Sequence, residues 1–172
     1  MRKGFAIASD ELKGTLERKG ATKDLAKLTS LDNFLNIDSK NLNSQLEKFQ
    51  SIQSKHGHSV NIPELLKIGL KSPVSRISDL YYLLKGSKLT EEFWTNYLAD
   101  YSISDITDYD IPMYYVLGRN DWQVPSTLAA EYFEKINAPR KGLYWIESAG
   151  HATDVDNPAD FSAAVREIVL GL

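Results

Sequence analysis

VLGRND, residues 116–121, and ESAGH, residues 147–151, each close an apolar run on a residue able to carry chemistry. The first run is Ile111–Leu117, with Pro112 near its start and Gly118 behind it. The second is Leu143–Ile146. Short apolar runs bounded by turn residues are the pattern of buried strands, and Pro112 can take the first position of one. Between the runs, Ser126 is placed to cap a helix over Thr127–Ile136. Its inner face would be Leu128, Ala129, Tyr132, Phe133 and Ile136. Asn137-Ala138-Pro139-Arg140 reads as a turn. Asn157-Pro158 opens a last helix carrying Phe161, Val165, Ile168 and Val169 on one side. Strand, helix, strand, helix predicts parallel strands joined by a right-handed crossover, an α/β fold.

Ligands of such sheets gather at the carboxyl ends of the strands. Asp121 and His151 both lie there. A neutral imidazole takes and returns a proton near pH 7. It does so better when a carboxylate holds its tautomer and stabilises the imidazolium. Adjacent parallel strands end about 5 Å apart, so loops leaving them can bring the two side chains into hydrogen-bond range. Alone, a Gly-His pair is an ordinary loop, and Asn-Asp after glycine is ordinary turn chemistry. Both together, acid before histidine, describe a site. Trp122, beside Asp121, is placed to touch a substrate, whereas Trp94 and Trp145 read as core.

Residues 1–106 read as helices. Gly14 and Gly20 bracket Leu16-Glu17-Arg18-Lys19, the end of a first helix. The stretch 29–41, rich in Ser, Asn and Asp, reads as a connection. Leu42, Leu46, Phe49 and Ile52 share one helical face. Asn61 caps a helix with Leu65, Leu66 and Leu70. Ile77, Leu80, Tyr81 and Leu84 form another stripe, ended by Gly86. Thr90 caps a helix with Phe93, Trp94, Tyr97 and Leu98. Glu91 and Glu92 read first as a solvated helix start, and second as carboxylates able to meet an amino terminus.

The 172 residues carry a net charge of −3 with both signs interspersed. There is thus no basic footprint for nucleic acid and no polybasic run for a membrane surface. The absence of cysteine excludes disulfides and thiolate chemistry. No apolar run reaches membrane-spanning length, and the basic start has too short an apolar stretch for a signal peptide. The expected compartment is the cytoplasm. His56 and His58 lack a carboxylate or cysteine set at ligand spacing, so no metal and no cofactor are expected.

Residues 110–169, from DIPMYYVLGRND through YWIESAGH to the helix after Asn157-Pro158, resemble the C-terminal part of α/β-hydrolases close to proline iminopeptidases. In that family a strand led by proline ends in G-x-x-D, a VP and a helix with a YF pair follow, and a strand ending in GH precedes an acidic residue, a proline and a last helix. The resemblance implies that Asp121 is the acid and His151 the base of a catalytic triad. It implies that residues 1–106 are a helical cap-like segment and 107–172 a C-terminal core segment. It also implies serine-type hydrolysis of a small peptide, at its N-terminal residue, or of an ester.

The family's nucleophile sits in G-x-S-x-G on a strand-to-helix elbow. Gly57-His58-Ser59-Val60-Asn61 comes nearest, but its fifth residue is Asn and the polar end of a helix precedes it. Ser59 therefore reads as a loop residue. The expectation is an incomplete core, with the nucleophile supplied from outside this chain, and a homo-oligomer or pairing with a missing N-terminal half. The alternative is a non-catalytic remnant acting as a binding or self-associating module.

Overall fold

The structure, a computed structural model, describes residues 2–31, 42–60, 62–76, 78–79, 81–82, 85–86 and 102–171. Outside them lie the caps Asn61 and Thr90, the residues Ile77, Leu80 and Leu84, the pair Glu91 and Glu92, the face of Phe93, Trp94, Tyr97 and Leu98, and most of the connection at 29–41. The fold is mixed α/β, with helices and a small parallel sheet. Contacts divide the chain into two compact units: Met1–Asn61 with Asp108–Leu172, and Ile62–Thr107. Described residues from the N-terminal stretch thus share a unit with the C-terminal segment.

In the first unit, helices α1 (Arg2–Arg18), α2 (Thr22–Thr29) and α3 (Leu42–His56) pack on one another. Phe5, Ala8, Leu12 and Leu16 recur at three- and four-residue spacing and so share one face of α1. Ala8, Leu12 and Leu16 are buried with Leu28, Leu31, Phe49 and Ile52, and Phe5 and Leu46 pack against them. Full burial of a side chain such as Leu12 or Phe49 contributes about 1.5–3 kcal/mol. Helix α1 stops at Gly20, whose φ of +62° only glycine adopts without cost. There the Ala21 N–H reaches the Leu16 carbonyl and the Gly20 N–H the Glu17 carbonyl, satisfying the last turn.

The sheet follows. Strand β1 (Met113–Gly118) pairs in parallel with β2 (Lys141–Ile146), with Val116 opposite Tyr144 and Gly118 opposite Ile146. Strand β1 starts two residues after the apolar run does and ends one after it, on Gly118, whereas β2 keeps the end of its run and starts two residues earlier, on Lys141. Helix α5 (Ser126–Lys135) joins the strands, and α6 (Thr153–Asp156) and α7 (Pro158–Leu170) follow β2. Successive strand residues face opposite sides. Tyr115 meets Phe133 of α5 at 5.2 Å between ring centres. Val116, Tyr144 and Ile146 instead pack with Ala164 of α7. The sheet therefore lies between two helices.

Two helix readings are corrected. Ser126 is the first residue of α5, not its cap, and no side chain caps that end. Its N–H goes instead to the Asp121 carbonyl at 3.2 Å. In α7 the inward residues are Phe161, Ala164 and Ile168, whereas Val165 and Val169 are 37% and 61% exposed. A sheet of two strands covers only a narrow stripe of the helix. The Asn157 side chain accepts the Asp160 N–H and Pro158 starts the helix, as the sequence predicts.

In the second unit, helix α4 (Ile62–Lys71) leaves Leu66 and Leu70 exposed. No helix among the described residues is long and apolar enough to cross a membrane.

Candidate functional site

Asp121 and His151 meet. Both follow the carboxyl ends of the paired strands, by three residues after Gly118 and five after Ile146. Their loops are bound together by backbone: the Arg119 N–H reaches the Ile146 carbonyl at 3.0 Å and the Asn120 N–H the Ala149 carbonyl at 2.8 Å. His151 Nδ1 lies 3.0 Å from Asp121 Oδ2. Asp121 is buried, while the His151 side chain is 36% exposed. An imidazole that uses Nδ1 toward the carboxylate carries its free lone pair on Nε2.

Each partner is fixed by local chemistry. The other Asp121 oxygen, Oδ1, accepts the N–H groups of Gln123 and Val124 at 3.0 and 3.1 Å. That is an Asx-type turn, the reason aspartate suits the position locally as well as chemically. On the histidine side, Ser148 takes a φ of 60°, a left-handed turn that costs a non-glycine residue about 1–2 kcal/mol. Next, the Gly150 N–H donates to Asp156 Oδ2 at 2.8 Å, pinning the His151 loop to α6. Reading the residues one by one missed this role of Asp156. Its only trace was an acidic residue ahead of Asn157-Pro158.

The His151 pKa is raised. The Asp121 hydrogen bond is the largest cause, partial burial opposes it, and the charges of Asp121 and Asp156 add to the rise. The pair can thus accept a proton at Nε2 and stabilise the cation formed, which is general-base chemistry.

The loop after α3 forms the neighbouring wall. The Trp122 N–H donates to the His58 carbonyl at 3.3 Å, and Gln53 Nε2 donates to the Trp122 carbonyl at 2.6 Å. The Ser59 hydroxyl donates to the Gln123 side chain. Trp122, expected to touch substrate, packs its partly buried ring against the helical core and lies 6.3 Å from the His58 ring. Ser59 is buried and follows a helix, α3, not a strand. The sequence showed no link between residues 53–59 and Asp121.

His58 Nε2 pairs with Thr15 Oγ1 at 3.0 Å, and its Nδ1 is buried without a partner among the described residues. Burial, aided by the charges of Lys19, His56 and Arg18, lowers its pKa to about 4. Asp24 is brought to Lys55 at 2.5 Å and to His56 at 3.0 Å, a pairing that spacing did not reveal. Those bonds lower its pKa to about 2. Among the described residues no group of three or more His, Cys, Asp or Glu is arranged to hold a metal ion.

The chain is similar to a probable aminopeptidase, YbaC, of Bacillus subtilis (strain 168), with 20% identity over 87 residues. The match takes in 50% of this chain and 27% of that protein, so the chain spans about a quarter of its relative. No protein-family profile matches the chain, and no solved structure matches it.

Proposed function

We propose that the chain supplies the acid and base of a serine-type α/β-hydrolase resembling proline iminopeptidases. The observation that carries this is the 3.0 Å contact of His151 Nδ1 with Asp121 at the carboxyl ends of adjacent parallel strands. The similarity to a probable aminopeptidase supports the hydrolase class.

In this reading Asp121 holds His151 with Nε2 free to accept a proton. His151 takes that proton from a serine hydroxyl as the oxygen attacks a carbonyl carbon, then delivers it to the leaving amine or alcohol. Water attacks the acyl-enzyme with the same help, releasing the acid and the serine. The substrate is a peptide cleaved at its N-terminal residue, or an ester. The serine comes from outside these residues, because Ser59 lacks the strand and the second glycine of an elbow.

The test is an aminoacyl-nitroanilide and nitrophenyl-ester assay of this chain, alone and joined to the coding sequence that precedes it. Turnover and fluorophosphonate labelling are expected in the joined protein only. His151→Ala should lower turnover by about 10⁴-fold or more, and Asp121→Asn by about 10⁴-fold. A joined protein that is inert, turnover that survives His151→Ala, or stoichiometric labelling of Ser59 in the chain alone would each sink this reading.

A further inference from the structure

Gln53, on α3, is 1% exposed. A glutamine that deep is found with partners, and its partner is Trp122, 69 residues away. Three hydrogen bonds close a ring. The His58 N–H donates to the Gln53 carbonyl at 2.8 Å and the Trp122 N–H to the His58 carbonyl at 3.3 Å. The Gln53 side-chain amide donates to the Trp122 carbonyl at 2.6 Å. Trp122 is the residue after the candidate acid, and both of its backbone polar groups are engaged.

The peptide joining Trp122 to Gln123 is planar and trans, so its carbonyl and its N–H point in opposite directions. The carbonyl faces Gln53, and the N–H faces Asp121 Oδ1 at 3.0 Å. The other oxygen of that carboxylate meets His151. An amide, a peptide, a carboxylate and an imidazole thus stand in one line of hydrogen bonds, each able to polarise the next.

We propose that Gln53 is a positioning residue for the Asp121–His151 pair: its amide sets the plane of the Trp122–Gln123 peptide and, through it, the rotation of the Asp121 carboxylate. Its consequence for catalysis rests on the acid–base reading above; the placement itself does not. Two other contacts share the hold, the Val124 N–H on Asp121 Oδ1 and the Ser59 hydroxyl on Gln123. Removing Gln53 therefore loosens the carboxylate without freeing it.

The experiment follows the imidazole of His151 by NMR through a pH titration of the full chain. Asp121→Asn defines the complete loss of the carboxylate's effect. Gln53→Met, which keeps the length and removes the donor, is expected to lower the His151 midpoint part of the way. Phe49→Leu, a packing change in the same helix core, should lower the melting temperature and leave that midpoint in place. A Gln53→Met midpoint equal to that of the unaltered chain, or a Phe49→Leu shift as large as that of Gln53→Met, overturns the proposal. Should Gln53→Met not fold, hydrogen exchange in the unaltered chain decides. Gln53 side-chain amide protons protected together with the Gln123 N–H support the proposal. Exchange as fast as in an exposed glutamine refutes it. The titration needs no turnover, so an inert joined protein would end the hydrolase reading and leave this one standing.

Discussion

A Cβ atom on Gly118 would lie 2.1 Å from the carbonyl oxygen of Gly150 and 2.7 Å from that of Ala149. The end of β1 and the loop carrying His151 touch backbone to backbone, and only glycine permits it. That approach brings the loop carrying Asp121 close enough for the 3.0 Å contact with His151.

Gly118→Ala should therefore destabilise by about 1–3 kcal/mol through overpacking and weaken the Asp121–His151 contact. Gly14→Ala, inside α1, meets only the end of the Arg18 side chain at 3.3 Å. It should stabilise by about 0.5–1 kcal/mol. Thermal or urea melts of the two variants check the opposite signs. A Gly118→Ala protein as stable as the parent would show that the two loops are not pressed together.

Asp121→Asn removes the charge from His151 and keeps an oxygen for the Gln123 and Val124 N–H groups. The His151 midpoint should fall toward an ordinary imidazole while the fold survives. The linkage has a definite sign. A histidine raised by its partner adds stability fully below its unfolded pKa, and that stability is lost as pH rises through the folded value. Stability curves of parent and variant should thus converge above the His151 midpoint. A midpoint unmoved by the substitution would mean that the pair does not form in solution.

His58 works in the opposite direction. It stays neutral when folded down to about pH 4, whereas an unfolded histidine takes up its proton near pH 6.5. Stability from this group is present above pH 6.5 and lost as the pH falls from there toward 4. His58→Gln should flatten that part of the melting-temperature profile. Asp24 acts in a separate window: its contribution is present above about pH 4 and lost toward 2. An unchanged slope between pH 6.5 and 4 in His58→Gln would assign the acid loss elsewhere.

Lys141 places its ammonium on the last turn of α5, 3.2 Å from the Phe133 carbonyl, 3.3 Å from that of Glu134 and 2.9 Å from that of Ile136. A cation at a helix C-terminus contributes about 0.3–1 kcal/mol at the surface and up to about 2 when partly buried. Lys141→Met should cost about 1 kcal/mol in urea melts. A Lys141→Met protein as stable as the parent would contradict a charge effect.

The sheet has two strands among the described residues, and a sheet of that size is marginal alone. The β1 edge carries Met113, Tyr114, Tyr115, Val116 and Leu117, with no charge to blunt it. Light scattering at micromolar concentration should give a mass above the 19.4 kDa of one chain. A clean monomer with a cooperative melt would rule association out.

The sequence by itself determined the local periods. The apolar runs before Gly118 and Glu147 announced strands, the returns between and after them announced helices, and Asn157-Pro158 announced the start of the last one. Asp121 and His151 were legible because each ends such a run, and parallel strands put their ends together whatever fills the loops. Their tautomer-setting contact and its length were decided by tertiary structure. So were Gln53 on Trp122, Asp156 on Gly150, the close approach at Gly118 and the exposure of Val165 and Val169. The reason is physical. A period of two or of three to four residues is written in neighbouring side chains, whereas a hydrogen bond across 69 residues leaves no mark on either neighbourhood. It exists only once packing has brought the buried amide of Gln53 to the Trp122 carbonyl.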